Sequence, residues 1–384
     1  MAGLDVAVVG GGIGGLAAAI ALRDAGHETT VYEQATEVRA VGAGISLWPN
    51  GVKVLDRLGL GSRLAGMAGR MERMGYAWMD GSRLTEFSLE PVYETAGLPA
   101  CPVARADLHD LLVGRLGAGR LRLGARALEV TSDRKQASIR FQDGTAVSAD
   151  LVVAADGTHS PTRAWVAGRP IERRFVGYLN VNALVPADVE VSPPGLWQTW
   201  VGDHRRASVM PIGGGRAYAF FDVPAPAACD QGVTDLLAEA FDGWAAPVGR
   251  LAAAVAEAGP NRVAIYDLPP FGPWHRGRVV LLGDAAHTMA PDLGQGGCQA
   301  LEDAWVLAQC LTQGFCSVGD ALLRYETQRA GRTADITRRA RKRAALIHGD
   351  NPAVTRAWYE SLRGETGEGI LAGLIESAVT GPLH

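Results

Sequence analysis

Gly10-x-Gly12-x-x-Gly15, Asp156-Gly157 and Gly283-Asp284 each follow a short apolar run, and together they bring glycines and acids to strand ends. Val279-Val280-Leu281-Leu282 reads as a buried strand. The turn after it, Gly283 to Cys298, carries Asp284, Asp292, Gly294, Gly296 and Gly297 before helical periodicity sets in at Gln299. Glycines at a helix start offer backbone N–H groups to an anion, and an acid at a strand end can accept from sugar hydroxyls. Gly10 and Gly12 suit a tight turn that approaches a pyrophosphate closely, and Gly15 suits packing of the helix on the strand. Glu33, about twenty residues further on, is placed to accept from ribose hydroxyls. This first pattern alone does not separate NAD from FAD. Asp156-Gly157, with Ser160 and Arg163 behind it, makes a second acidic turn and Asp284 a third. A transient nicotinamide needs one dinucleotide turn, whereas a permanently held FAD needs several contacts along its length, so three such elements favour FAD.

The elements that must hold these residues are legible as a βαβ unit: a buried strand over 4–9, a helix over 14–25 closed by Gly26, and a strand over 28–33. A further helix over 107–116 and an apolar strand over 151–155 extend an α/β, Rossmann-like domain. From about Arg173 to Ile265 the pattern alternates as in antiparallel strands, with one helical interval near 233–257, and Met74 to Leu89 reads as a hairpin turning at Asp80-Gly81. The expected architecture is a Rossmann-like FAD-binding domain (1–72, 98–172 and 266–350), an inserted, mostly antiparallel substrate sheet (73–97 and 173–265), and a C-terminal helical segment (351–384). Helical patterning from Gln299 onward is broken once, at Gly349, Asn351 and Pro352. The basic run Arg338, Arg339, Arg341, Lys342, Arg343 reads as a solvated helix face.

Composition narrows the function classes. The 384 residues, 47% hydrophobic and 20% charged, are those of a globular protein with a substantial core, and a net charge of −4 argues against nucleic acid. Five cysteines (Cys101, Cys229, Cys298, Cys310, Cys316) lack the paired spacings of a zinc site or disulfide framework, so reduced thiols in a cytoplasmic protein and no metal are expected. Val6 to Leu22 is apolar enough to resemble a signal-peptide core, but it lacks a basic flank, and its glycines are spaced for nucleotide binding. No stretch has the apolar length of a membrane span.

With these motifs in order from Gly10 to Cys298, together with Arg105 at a helix start, Pro291 and Gly294-Gln295-Gly296, the chain resembles the class A flavoprotein aromatic monooxygenases of the para-hydroxybenzoate hydroxylase fold. Within that class it is similar to the bacterial FAD-dependent urate hydroxylases. Ala43-Gly44-Ile45-Ser46-Leu47-Trp48, Asn180-Val181-Asn182, Arg205-Arg206, Tyr218 and Pro291 to Cys298 follow their pattern, and Cys298 stands where many class A members carry Asn. The resemblance implies that NADH, as a transient co-substrate, reduces bound FAD. The reduced flavin then takes O2 to a C4a-hydroperoxide that hydroxylates urate at C5, giving 5-hydroxyisourate. It further implies FAD contacts at Gly10, Gly12, Gly14, Gly15, Glu33, Gln34, Ser46, Arg105, Ala127, Asp156, Asp284, Gly294, Gln295, Gly296, Gly297 and Cys298. Arg206 matches the substrate-activating arginine, Tyr218 and Asn180 match its hydrogen-bonding partners, and Asp292 matches a carboxylate beside the substrate that orients water or relays a proton. By residue type alone Arg206 is a surface arginine, Tyr218 a core tyrosine and Asp292 a turn residue. The family pattern makes His287 scaffold, and Trp197, Trp200 and Met210 core or pocket wall.

Alternatives remain at this level. The first is a class A hydroxylase acting on another anionic aromatic such as salicylate or a hydroxynicotinate. The others are an NAD-dependent dehydrogenase and a non-catalytic flavin-binding module. Expected partners are small molecules (urate, O2, NADH), with no nucleic acid and no membrane; a homo-oligomer stays open.

Overall fold

In the computed structural model the described residues are 3–37, 43–117, 119–187, 191–312 and 317–383. Cys316 lies outside them; the other four cysteines are free thiols. The molecule is built on two large sheets, one mainly parallel and one mainly antiparallel.

The first sheet has six strands, ordered His275–Arg276, Val279–Leu281, Leu151–Ala154, Asp5–Val9, Glu28–Tyr32 and Leu121–Arg122, and is parallel except where His275–Arg276 turns back. Its central strands are apolar throughout because both faces are covered. Register decides function here. Val9 stands beside Ala154, Ala154 beside Leu281, and Val9 beside Tyr32. Four chain segments therefore leave the sheet at one level, and their next residues include Gly10, Asp156, Gly283 and Glu33. That carboxyl edge is where open α/β sheets bind ligands. The helix Ile13–Asp24 that follows the first strand is buried nearly all round, packed against Gly296–Thr312 and Arg105–Leu116, which explains its uniformly apolar sequence. Its entry is sterically set by two glycines. Gly10 has φ +106° and Gly15 faces the Gly10 carbonyl, which an added Cβ would meet at 2.0 Å.

The second sheet has seven strands, ordered Asn261–Asp267, Arg174–Pro186, Arg216–Pro224, Arg205–Ile212, Leu196–Gly202, Arg73–Trp78 and Arg83–Ser88. Neighbours are antiparallel except Leu196–Gly202 against Arg73–Trp78. The hairpin expected at 74–89 is its edge, with Gly81 in the turn at φ +90°. Period-two alternation sorts the side chains. Leu179, Val181, Ala207, Val209, Ala219 and Phe221 form a core with Leu236, Leu237, Val248 and Leu251. The opposite parity carries Asn180, Arg206, Tyr218 and Asp222. The single helical interval expected near 233–257 is two helices, Val233–Ala240 and Ala246–Glu257, separated at Gly243, whose φ of +72° stops the first.

The C-terminal part is more broken than its sequence pattern. Gly296–Thr312, Val318–His348, Pro352–Ser361 and Glu368–Ala378 are separate helices, and Gly367 at φ +92° precedes the last. The basic run on Val318–His348 is not a solvated face. Arg341 pairs with buried Asp267, Arg339 donates to the Gly373 carbonyl, and Arg343 lies over the Trp358 ring, so three of its five cations tie the helix to its neighbours. No helix among the described residues is long and apolar enough to cross a membrane.

Candidate active site

Between the carboxyl edge of the first sheet and the polar face of the second lies a cleft of ≈ 360 Å³, within the range of small-molecule sites. Its flavin-side wall is made from Gly12, Gly14, Gly15, Ser46, Arg105, Gly157, Asp284, Gly294, Gly296 and Gly297. The helix starting at Ile13 has no side-chain cap, so its first N–H groups are open toward the cleft, as an anion requires. A Cβ on Gly12 would meet nothing within 4 Å; it would protrude into the open cleft, where a close-lying anion would need that room. Arg105 follows the strand Cys101–Ala104, which pairs with Gly44–Leu47, and its guanidinium has no partner among the described residues. Asp284 is exposed at the cleft, and its backbone carbonyl is held by Arg163. These residues fit an anionic dinucleotide.

The remaining expected flavin contacts stand outside the cleft lining. Glu33 accepts from the backbone N–H groups of Gly11 at 2.7 Å and Ala35 at 2.8 Å, and so fixes the glycine turn. Gln34 is exposed beside it. Ala127 lies two residues beyond Ala125, whose N–H donates to the Glu33 carbonyl. Asp156 is half-buried and accepts from the Thr162 hydroxyl at 2.8 Å; desolvation pushes its carboxyl up, against the hydrogen bonds of Ser160 and Thr162. Gln295 and Cys298 turn their side chains away from the cleft. Gln295 accepts from Asn50 and Gln299, and the Cys298 thiol packs on Gly51, where burial raises it to about 12. The segment Gly294 to Cys298 therefore faces the cleft through Gly294, Gly296 and Gly297, not through its two larger side chains. His287 is scaffold. Buried, it contacts Asp303 Oδ2 at 2.6 Å, and Asp303 also accepts from the Gly283 N–H and Arg329.

On the substrate side, sheet register sets Asn180, Asp222 and Arg206 side by side on three adjacent strands. The Asn180 amide donates to Asp222 Oδ1 at 2.6 Å and accepts from Asn182 at 2.6 Å. Arg206 places Nε 2.6 Å and Nη2 2.5 Å from Asp222 Oδ2, and Nη2 is also 3.2 Å from Asp292 Oδ1. Those bonds use the Nε and Nη2 hydrogens, Nη1 has no partner among the described residues, and Arg206 lines the cleft. Burial opposes the Arg206 charge, but Asp222 and Asp292 more than offset it and raise its affinity for the proton. Burial likewise pushes Asp222 up, and Arg206 and His348 overcome it, holding that carboxyl at about 2. The Tyr218 hydroxyl has no hydrogen-bond partner among the described residues, and its ring lies across the Gly44 backbone. Trp197, Met210 and Phe220 complete the wall, whereas Trp200 belongs to the opposite core. The Asp292 side chain is fully buried, accepting from the Tyr178 hydroxyl at 2.7 Å as well as from Arg206. It clamps Arg206 and also lines the cleft.

Asp222, Tyr178 and His348 were not legible as site residues. The strand Arg216–Pro224 did carry a signal for Asp222, a lone carboxylate on the same parity as Tyr218 and Phe220. No group of His, Cys, Asp and Glu among the described residues could hold a metal.

An uncapped helix start, acids at three strand ends and an arginine at the cleft wall define a dinucleotide-binding protein. Residues 3–340 match the FAD binding domain family, and the chain belongs to it. Among relatives, a Klebsiella pneumoniae FAD-dependent urate hydroxylase is 44% identical over 98% of this chain and 99% of its own length. One from Mycolicibacterium vanbaalenii is 43% identical over 99% and 98%. The crystal structure of Klebsiella pneumoniae HpxO complexed with FAD and uric acid superposes with a TM-score of 0.95 at 42% identity, covering 99% of this chain and 98% of that one. A salicylate hydroxylase substrate complex gives 0.79 at 25% identity, with full coverage of both chains.

Proposed function

We propose that this chain is an FAD-dependent urate hydroxylase. It inserts one oxygen atom of O2 at C5 of urate to give 5-hydroxyisourate and reduces the other to water at the expense of NADH and a proton. The observation that carries the reading is the Arg206 guanidinium, fixed by two carboxylates at the wall of the cleft. It stands in a chain similar to urate hydroxylases along nearly all its length. Bound FAD supplies the redox and oxygen-activating chemistry. Gly12, Gly14, Gly15, Ser46, Arg105 and Asp284 would hold its phosphates and sugar, with Glu33, Gln34, Ala127 and Asp156 toward its ends, in a domain formed by residues 1–72, 98–172 and 266–350.

The side chains of the substrate sheet do the rest. Urate is a planar anion whose C5 is the nucleophile, and electron density leaves the ring as C5 attacks an electrophilic oxygen. A preorganised guanidinium donor holds urate in the enolate-like anionic form that can make this attack. The Tyr218 hydroxyl and the Asn180 amide supply donor and acceptor groups for ring carbonyls and N–H groups. Trp197, Phe220 and Met210 flank the plane and exclude water, which strengthens these contacts. NADH docks transiently, since the chain has only the one dinucleotide turn of the Gly10 type, and the reaction is placed in the cytoplasm.

The test is NADH oxidation and product formation by the purified yellow protein against a panel of urate, salicylate and 6-hydroxynicotinate. Urate alone should stimulate NADH and O2 consumption in equal amounts with 5-hydroxyisourate appearing. Stimulation by salicylate and not by urate would replace the urate assignment with that of another aromatic hydroxylase.

A further inference from the structure

The Arg206 cluster poses a charge problem. One guanidinium between the Asp222 and Asp292 carboxylates leaves one uncompensated negative charge, and a bound urate anion adds another in a site shielded from water. Arg105 lies on the Tyr218 side of the cleft, so a cation beside Asp222 itself would complete the balance. His348 meets the need: its ring is buried at the end of the helix Val318–His348, with Nε2 3.6 Å from Asp222 Oδ2 and Nδ1 2.7 Å from the His204 carbonyl oxygen. The carbonyl accepts from Nδ1, whereas Nε2 is buried without a hydrogen-bond partner, and the nearest charge to it is the Asp222 carboxylate, which also can only accept. The last turn of a helix also favours positive charge. The His204 carbonyl is itself held in place at a backbone cost, since Asp203 and His204 have φ +43° and +63° in the turn between two strands.

The other titratable or charged groups around this cluster are Tyr178, whose ring stacks on His348 at 4.3 Å, and Tyr359, whose hydroxyl donates to the Ile347 carbonyl. Asp203 and Arg343 lie on the Tyr359 side and Arg105 on the Tyr218 side. None of them touches Asp222 as His348 and Arg206 do.

We propose that His348 is a positioning residue held as a buried imidazolium, which neutralises Asp222 and so lets Arg206 receive an anionic substrate. The inference rests on urate, or a similar aromatic anion, being the substrate. It assigns to a helix end 142 residues from Arg206 in sequence the charge balance of the pocket.

The test combines a spectroscopic and an arithmetic arm, both on the FAD-loaded protein. In 15N-histidine NMR, with the His348 resonances identified through their contacts to the Tyr178 ring, both ring nitrogens should carry protons at neutral pH. In binding titrations, His348→Gln should weaken urate at least about tenfold, the scale of one charge-assisted bond, while the flavin spectrum and unfolding temperature of the variant show that it folds. The double variant Asp222→Asn with His348→Gln removes one negative and one positive charge, and should recover most of that loss. A merely structural histidine predicts no such rescue. A neutral His348 tautomer, or a double variant that binds urate no better than His348→Gln, overturns the proposal. His348→Asn replaces the glutamine variant if that one fails to fold. Failure of the wild-type protein to bind urate would instead strike the functional reading, and the NMR arm would still decide the charge of His348.

Discussion

Replacing Arg206 by glutamine separates what the side chain does for stability from what it does for catalysis. Glutamine cannot span both carboxylates, so Asp222 and Asp292 lose the guanidinium they share, at 0% side-chain exposure. The Asp222 carboxyl lies at about 2 against an ordinary 3.8, a depression worth about 2–3 kcal/mol at neutral pH, much of which depends on the guanidinium. Stranding a buried partner costs about 3–5 kcal/mol in comparable cases, so we expect a loss near 3 kcal/mol. With an unfolding entropy of roughly 2 cal/mol/K per residue, that is a fall in Tm of about 4 °C. The sign with pH follows from the depressed value. The Asp222 contribution is present above about 3.8 and disappears as pH falls through about 2, so wild type and variant should converge in acid. Catalysis should suffer more: losing the preorganised donor that holds the substrate in its reactive anionic form should cost about 10²–10³ in turnover, with FAD still bound because no flavin-wall residue changes. Calorimetry at neutral and acid pH, the visible flavin spectrum and 5-hydroxyisourate formation per NADH consumed read these separately. Arg206→Lys, which keeps the charge but loses the fork, should fall between. A glutamine variant hydroxylating urate within threefold of wild type would remove Arg206 from the mechanism.

Two glycines of one turn should respond oppositely to alanine. Gly12→Ala meets no atom within 4 Å, so unfolding of the apoprotein should be unchanged to within about 0.5 kcal/mol while FAD affinity falls in a fluorescence titration. Gly15→Ala drives a methyl onto the Gly10 carbonyl at 2.0 Å and should cost about 1–3 kcal/mol even without flavin, measured by urea unfolding. Tyr218→Phe removes a hydroxyl with no protein partner, so stability should hold while KM for urate rises about five- to tenfold in steady-state assays. Asp303 is pushed up by burial but held at about 2 by His287 and Arg329. Asp303→Asn should therefore destabilise at neutral pH and flatten the acid limb between about 4 and about 2, as denaturant titrations at several pH values would register.

The flavin half of the molecule was legible in sequence because backbone does most of its work. Phosphate binding needs glycines, a helix start and acids at strand ends, and these are written locally at Gly10 to Gly15, Asp156-Gly157 and Gly283-Asp284. Parallel register then brings the three together without further information. The substrate half works by side chains that meet across strands. Asn180, Arg206 and Tyr218 could be named only through family resemblance, since nothing within a strand says which neighbour it pairs with. Asp222 becomes a partner of Arg206 only when Arg205–Ile212 and Arg216–Pro224 take the register that sets them opposite each other. His348 reaches Asp222 only because a 31-residue helix ends at the right height. The same limit accounts for Cys298 and the basic run. Cys298 marks the subfamily in sequence, yet its thiol turns toward Gly51 and away from the cleft. Arg339, Arg341 and Arg343 look like a solvated face until Gly373, Asp267 and Trp358 arrive to cover them. What a substrate site asks of its second layer is charge balance, a sum over elements distant in sequence. Local patterns therefore locate the cofactor more readily than they do the groups that make an arginine ready for an anion.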